Sequence, residues 1–225
     1  MPKLTYDEFI EMVNEWGFST PYDGLGYADG QSFSGDPDTD PWIWKDRVTQ
    51  EKKLAYGAFF NGKKGYIGPR FYSIFIDAFR PRKTVEERYE SGNLGQYKWK
   101  FWNLLTSEDR ALGTHEYRAL IGVTAKDGRS ALDNAVVKLQ MTFDVTAVGN
   151  ADMLDKNGKP YNQSVAYDKV DKWVPQEWLN MNPRMEHEEA LEAIYRQVEK
   201  NTNAVTAEEA KEAFKKSLKL YKSFL

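Results

Sequence analysis

The chain has 225 residues, 41% hydrophobic and 29% charged, with a formal net charge of −3 at pH 7 and no cysteine. That length and balance suit a globular protein with a sizeable core, and the missing thiols exclude disulfides, thiolate metal sites and cysteine nucleophiles. No run approaches the ~18 apolar residues of a membrane span, and the acidic start MPKLTYDEFIEMV lacks the apolar centre of a signal peptide, so a cytoplasmic protein without a membrane partner is expected.

Thr5 and Glu8 form a capping-box pattern, and Phe9, Ile10, Val13 and Trp16 recur at helical spacing as far as Gly17. This predicts a helix over residues 6–16. Residues 18–41 are rich in Gly, Pro, Ser and Asp and show no period, as in a long functional loop. Trp44, Val48, Leu54, Ala55, Ala58 and Phe59 fit a 3.6-residue period, so a helix is expected from Trp42 to Phe60. FNGKKGYIG reads as two glycine turns around Lys63 and Lys64, with a short strand at Tyr66–Ile67. Pro69 opens a helix over RFYSIFIDAF, and Pro81 ends it. Thr84 caps TVEERYESG, and LGQYKWKFWNLL is a further apolar helix.

Next, Thr114 is expected to cap HEYRALIG, which Gly122 closes, and Ser130 to cap a second helix carrying Leu132, Val136, Leu139 and Gln140. FDVTAVGNADMLD and QSVAYDKVDKWV then read as two strands joined by the turn KNG. Helix, turn, helix and hairpin is the order of a winged helix-turn-helix. HEEALEAIYRQVEKN and TAEEAKEAFKKSLKLYKSF predict two closing helices. The expected fold class is mainly α (α+β): winged helix-turn-helix modules with a small β wing and flanking helices. The expected divisions are an N-terminal helical region over 1–105, readable as a divergent winged helix with the long loop 18–41, a winged helix-turn-helix over 106–175, and C-terminal helices over 176–225.

Charge is unevenly spread. Residues 1–41 hold one lysine and nine acids, residues 42–103 thirteen basic and six acidic residues, and residues 104–225 seventeen basic and nineteen acidic. A basic block of this kind builds a local positive field although the total is near zero. Solvated faces are the plainer account of the same numbers.

The stretch DPWIWKDRVTQEKKLAYGAFFNGKKGYI, followed by the winged-helix pattern at 106–174, resembles the bacterial AlkZ-related proteins over about residues 5–180. These are remote relatives of the AlkZ/YcaQ alkylpurine DNA glycosylases, built from tandem winged-helix modules. The resemblance implies a nucleic-acid-associated protein with double-stranded DNA as its partner, and a divergent DNA glycosylase as its enzymatic form. The enzymes carry a Gln-x-Gln or Gln-x-Asp pair in their first third. Here Gln31 is followed two residues on by Phe33 and Gln50 by Lys52, so that pair is unmatched.

Asp36, Asp38 and Asp40 alternate as in a calcium loop, but the sixth position is Pro41 and the twelfth Arg47, where glycine and glutamate are required. No metal and no cofactor are expected. Asp40 before Pro41 reads first as a helix N-cap. Against the apolar wall of Trp42 and Trp44, Asp40 or Asp46 reads second as a general base that positions water beside a flipped base. Trp42, Trp44, Lys45, Arg47 and Tyr56 would then form an aromatic, basic surface or cleft, with Lys63 and Lys64 on phosphates. Arg129, Asn134 and Lys138 are the base-reading candidates on the second helix of the winged-helix pattern. Residues 114–150 balance four basic against four acidic residues, which suits a structural or protein-contact winged helix more than a DNA reader; a transcription regulator reading DNA through Arg129, Asn134 and Lys138 is a further alternative. The alternative function is a non-enzymatic interaction module whose aromatic cleft takes a protein or small-molecule partner. His115 and His187 lie far apart and suggest no triad.

Overall fold

The capping box at Thr5 forms as expected: the Glu8 carboxylate accepts from the Thr5 backbone N–H and hydroxyl, both at 2.8 Å. It starts α1 (Tyr6–Trp16), which Gly17 ends at φ +85°. A Cβ on Gly17 would stand 2.4 Å from the Phe71 ring, so both the turn and the packing exclude a side chain there. The computed structural model describes residues 3–20, 34–201 and 206–217. Most of the expected loop at 18–41, including Gln31, lies outside them, as does the expected last helix beyond residue 217.

After α1 come β1 (Phe18–Ser19), α2 (Pro41–Gln50), β2 (Ala55–Phe60) and β3 (Lys63–Ile67). They form an antiparallel sheet of order β1–β3–β2, with Phe18 opposite Ile67 and Tyr56 opposite Tyr66. The helix expected from Trp42 to Phe60 is therefore divided. It stops at Gln50, Lys52 takes a left-handed φ of 52°, and AYGAFF continues as a strand buried at every position. A run that is apolar on all sides has no period to separate strand from helix. Tertiary structure decides, because β2 is covered on both faces: Phe59 and Phe60 enter one core and Tyr56 the other.

Then follow α3 (Pro69–Phe79), α4 (Val85–Glu90) and α5 (Gln96–Glu108). The next run is β4 (Leu112–Gly113), α6 (Thr114–Ile121), α7 (Arg129–Met141), β5 (Val145–Leu154) and β6 (Pro160–Lys169), with sheet order β4–β6–β5. The short helices α8 (Val170–Trp173) and α9 (Gln176–Leu179) lead to α10 (His187–Asn201) and α11 (Ala207–Ser217). The expected second strand thus ends at Lys169, and its last residues turn into α8. The expected caps also shift. Gly113 and Gly128 hold the N-cap positions of α6 and α7, while the Thr114 hydroxyl donates to the Val165 carbonyl at 3.0 Å. Glu116 serves instead, accepting from the Gly113 N–H at 2.7 Å.

Among the described residues the result is a mixed α+β fold with two small antiparallel sheets, each pairing its short first strand with its last and its last with the middle one. Two apolar cores hold it together, and each draws on both halves of the chain. One joins Phe59, Phe75 and Phe79 to Phe143, Trp173 and Ile194. The other joins Phe9, Trp44 and Tyr66 to Phe101, Leu132 and Val145. Gln140 of α7 ties that helix to the first sheet, its Oε1 accepting from the Ala58 N–H of β2 at 3.0 Å. Among the described residues no helix is long and apolar enough to cross a membrane.

Candidate functional site

A cleft of about 1220 Å³ opens between the end of α3, the segment 80–83, α4, the start of α5, the end of α7 and the approach to α10. Arg80, Arg82, Lys83, Arg88, Lys98, Lys138 and Arg184 line it, against the carboxylates of Asp77, Glu186 and Glu189. The bias is strongly cationic, and concave low-dielectric walls focus such a field on an anion.

Thr142, which lines the cleft, leads into the corner between α7 and β5. Phe143 holds a left-handed φ of 52°, costly for an aromatic residue, and persists because its surroundings over-determine it. Its ring stacks on Phe59 at 5.0 Å and 11°, and its carbonyl accepts from Arg80 Nε at 2.9 Å and from a terminal Arg80 nitrogen at 2.5 Å. Arg80 also bonds Asp171 at 2.6 Å. One residue on, Asp144 accepts from Arg88 at 2.6 Å and from the Thr142 hydroxyl at 2.5 Å. On the opposite wall Arg184 pairs with Asp77 at 3.0 Å, and Asp77 also accepts from the Met185 N–H at 2.9 Å. The arginines are thus largely structural, each pinned by a carboxylate. Burial, then the charges of Lys138 and Arg88, hold the Lys98 ammonium below the usual lysine range, with Asp144 opposing them. Like charges crowded this way are relieved when an anion binds between them.

The sequence-chosen residues divide between this cleft and other places. Lys138 lines the cleft. Asn134, one helical turn earlier on α7, and Arg129, its first residue, are exposed. No residue of α2 lines the cleft. Asp40 is the N-cap of α2 and is 3% exposed; its carboxylate accepts from the backbone N–H groups of Ser34, Gly35 and Trp42 at 3.1, 2.5 and 2.8 Å. Trp44 is 4% exposed, packed on Phe9 and Tyr6, with its indole N–H on the Pro37 carbonyl at 2.8 Å. Trp42 is 46% exposed, and Lys45 lies over its ring at 4.9 Å. The two indoles therefore do not share a hollow.

Lys45 is buried and pairs with Asp46 at 2.5 Å, and Asn150 of β5 donates to the same carboxylate oxygen at 2.7 Å. Arg47 is exposed, bonded to Glu51 at 2.7 Å and stacked over Tyr6 at 3.9 Å. Tyr56 is buried, with Lys64 Nζ 5.9 Å from its ring centre. The Lys64 amine is pushed down to about 8 by burial and then by the charge of Lys45; it reaches Gln140 Oε1 at 3.5 Å. Lys63, at the start of β3, is exposed. His115 bonds the Ser164 hydroxyl at 2.8 Å, while His187 stands at the cleft mouth. Among the described residues no cluster of three or more histidines or carboxylates could hold a metal ion.

Arg88, Lys98 and Arg184 carried no sequence signal of a site. Arg88 sits in the short charged helix α4, Lys98 in the aromatic-rich α5, and Arg184 in an irregular segment between α9 and α10. The excess of positive charge over 42–103 pointed toward Arg88 and Lys98, and nothing in the sequence pointed toward Arg184.

The family model described as AlkZ related matches residues 4–215. No curated protein and no solved structure matches the chain.

Proposed function

Because the chain belongs to the AlkZ-related family, and is thereby related to the AlkZ DNA glycosylases, we propose that it is a nucleic-acid-binding protein that holds a phosphate backbone in the cleft between α3, α5 and α7. The observation that carries this reading is the convergence of Arg88, Lys98 and Lys138 on one cleft, where burial and then the charges of Lys138 and Arg88 lower the Lys98 ammonium. Phosphate is the anion whose repeating charge suits a long groove walled by arginines and lysines. On this reading α6, α7 and the β5–β6 hairpin are a winged helix-turn-helix, supported by the sheet order β4–β6–β5 and by the exposed Asn134 and Lys138 of α7. The first half, with sheet order β1–β3–β2, is a divergent module of the same kind over 1–105. The divisions at 106–175 and 176–225 then mark modules packed on common cores.

Binding is favoured over base excision. The Asp40 carboxylate is occupied by three backbone donors, and Asp46 is held by Lys45 and Asn150. A general base needs a lone pair aimed at water in an open site.

Titration of labelled DNA at rising salt tests the proposal. Affinity should fall linearly with salt on logarithmic axes, and Lys98→Ala with Lys138→Ala should lower the slope by about 2, roughly 0.9 per lost phosphate contact. Unchanged affinity in that double variant removes the cleft reading. Base release from alkylated DNA that Asp46→Asn abolishes would return the excision reading in its place.

A further inference from the structure

Tyr89 of α4 and Trp99 of α5 stack face to face, ring centres 4.3 Å apart and planes 6° from parallel. Tyr89 is 38% exposed and Trp99 is half-buried. The residues immediately before them, Arg88 and Lys98, line the cleft. Successive helical residues point about 100° apart, so cleft wall and aromatic pair occupy adjoining faces of the same two helices. Beyond Trp99 a shallow hollow with Lys100, Leu104 and Leu120 continues the surface.

Helix packing alone does not account for the pair. α4 and α5 are already joined by the Trp102 indole N–H on Glu86 at 2.7 Å, and Val85, Leu94 and Phe101 are buried beside them. Among the described residues, buried aromatic contacts are mostly edge-on or tilted, as ring quadrupoles favour. A parallel pair left open to solvent next to crowded cations is the arrangement on which nucleic-acid bases stack while their phosphates find lysine and arginine.

We propose that Tyr89 and Trp99 form a stacking platform for unpaired bases, so that the strand whose phosphates enter the cleft is single-stranded where it crosses α4 and α5. The inference rests on the cleft being a phosphate site and adds which form of nucleic acid it takes. A paired duplex keeps its base faces within its own stack, whereas an unpaired strand offers them.

The test compares a labelled oligothymidylate with a duplex of equal length in anisotropy titrations at low salt, using the full chain. Wild-type protein should prefer the single strand. Tyr89→Ala should weaken that binding by about tenfold, within the range for one lost base stack, and leave duplex binding unchanged, while Tyr89→Phe keeps the ring and the affinity. Binding should quench tryptophan fluorescence, and Trp99→Phe should remove that quenching while preserving affinity. The quenching is read on well-folded protein and holds even if Tyr89→Ala fails to fold. If Tyr89→Ala and Trp99→Ala bind the single strand as wild type does while Lys98→Ala with Lys138→Ala does not, the platform is refuted and the cleft stands. If wild-type protein binds neither polynucleotide, platform and cleft fall together.

Discussion

Arg88 and Asp144 meet at 2.6 Å in an ion pair whose side chains are only 8% and 6% exposed, joining α4 to the residue just before β5. Arg88 lines the cleft, and Asp144 follows the strained Phe143. It fixes where the positive wall stands relative to α7.

Breaking that pair from one side should be severe. Asp144→Ala leaves a buried guanidinium without its partner, and a loss of about 3–5 kcal/mol is expected in urea denaturation. Replacing both residues by apolar ones, Arg88→Met with Asp144→Leu, should cost far less than the sum of the single changes. A double variant as unstable as that sum would mean the pair is not coupled as the geometry requires.

Lys64 gives a pH-dependent prediction. Its amine titrates at about 8 in the folded protein against an ordinary 10.5, because burial disfavours the charged form. Below pH 8 both folded and unfolded chains carry the proton, and the folded protein bears the full desolvation cost. As pH rises from 8 toward 10.5 the folded state sheds its proton first, so the cost disappears and stability rises. Lys64→Met should therefore stabilise the protein at pH 7 by on the order of 2 kcal/mol, and the advantage should fade above pH 8. Denaturation midpoints of both proteins from pH 6 to 10 provide the check. A constant difference across that range would contradict it.

Asp40 separates a cap from a catalyst. Asp40→Ala strips the acceptor from three backbone N–H groups at the start of α2, and should cost about 2 kcal/mol or more. Asp40→Asn keeps one acceptor oxygen and should cost less. Neither change should alter DNA affinity, since α2 lies outside the cleft. A variant of unchanged stability would show that the carboxylate does something other than cap.

Much of the helical structure was legible because its signals are local. The box of Thr5 and Glu8, Pro41 after Asp40, and Pro69 each act within one turn of chain and formed where expected. β2 was not legible: Ala55–Phe60 is apolar throughout, and its pairing with β3 and its burial on both faces come from distant residues. Trp44 shows the same limit. Its spacing suited a surface as well as a core, and contacts with Phe9 and Tyr6 decided for the core.

By itself the sequence determined where α1, α2, α3 and α4 begin, the order helix, helix, hairpin in the second half, and an excess of positive charge in the middle third, because propensity, capping and composition are properties of neighbouring residues. Only the tertiary structure decided where that charge gathers. The cleft brings residues 76–83, 88–98, 138–142 and 184–189 together through two cores that span the chain, and it turns Lys98 toward Lys138 while Trp44 turns inward. Electrostatic fields and packing add through space rather than along the chain, so the site exists only after the fold has chosen which distant side chains become neighbours.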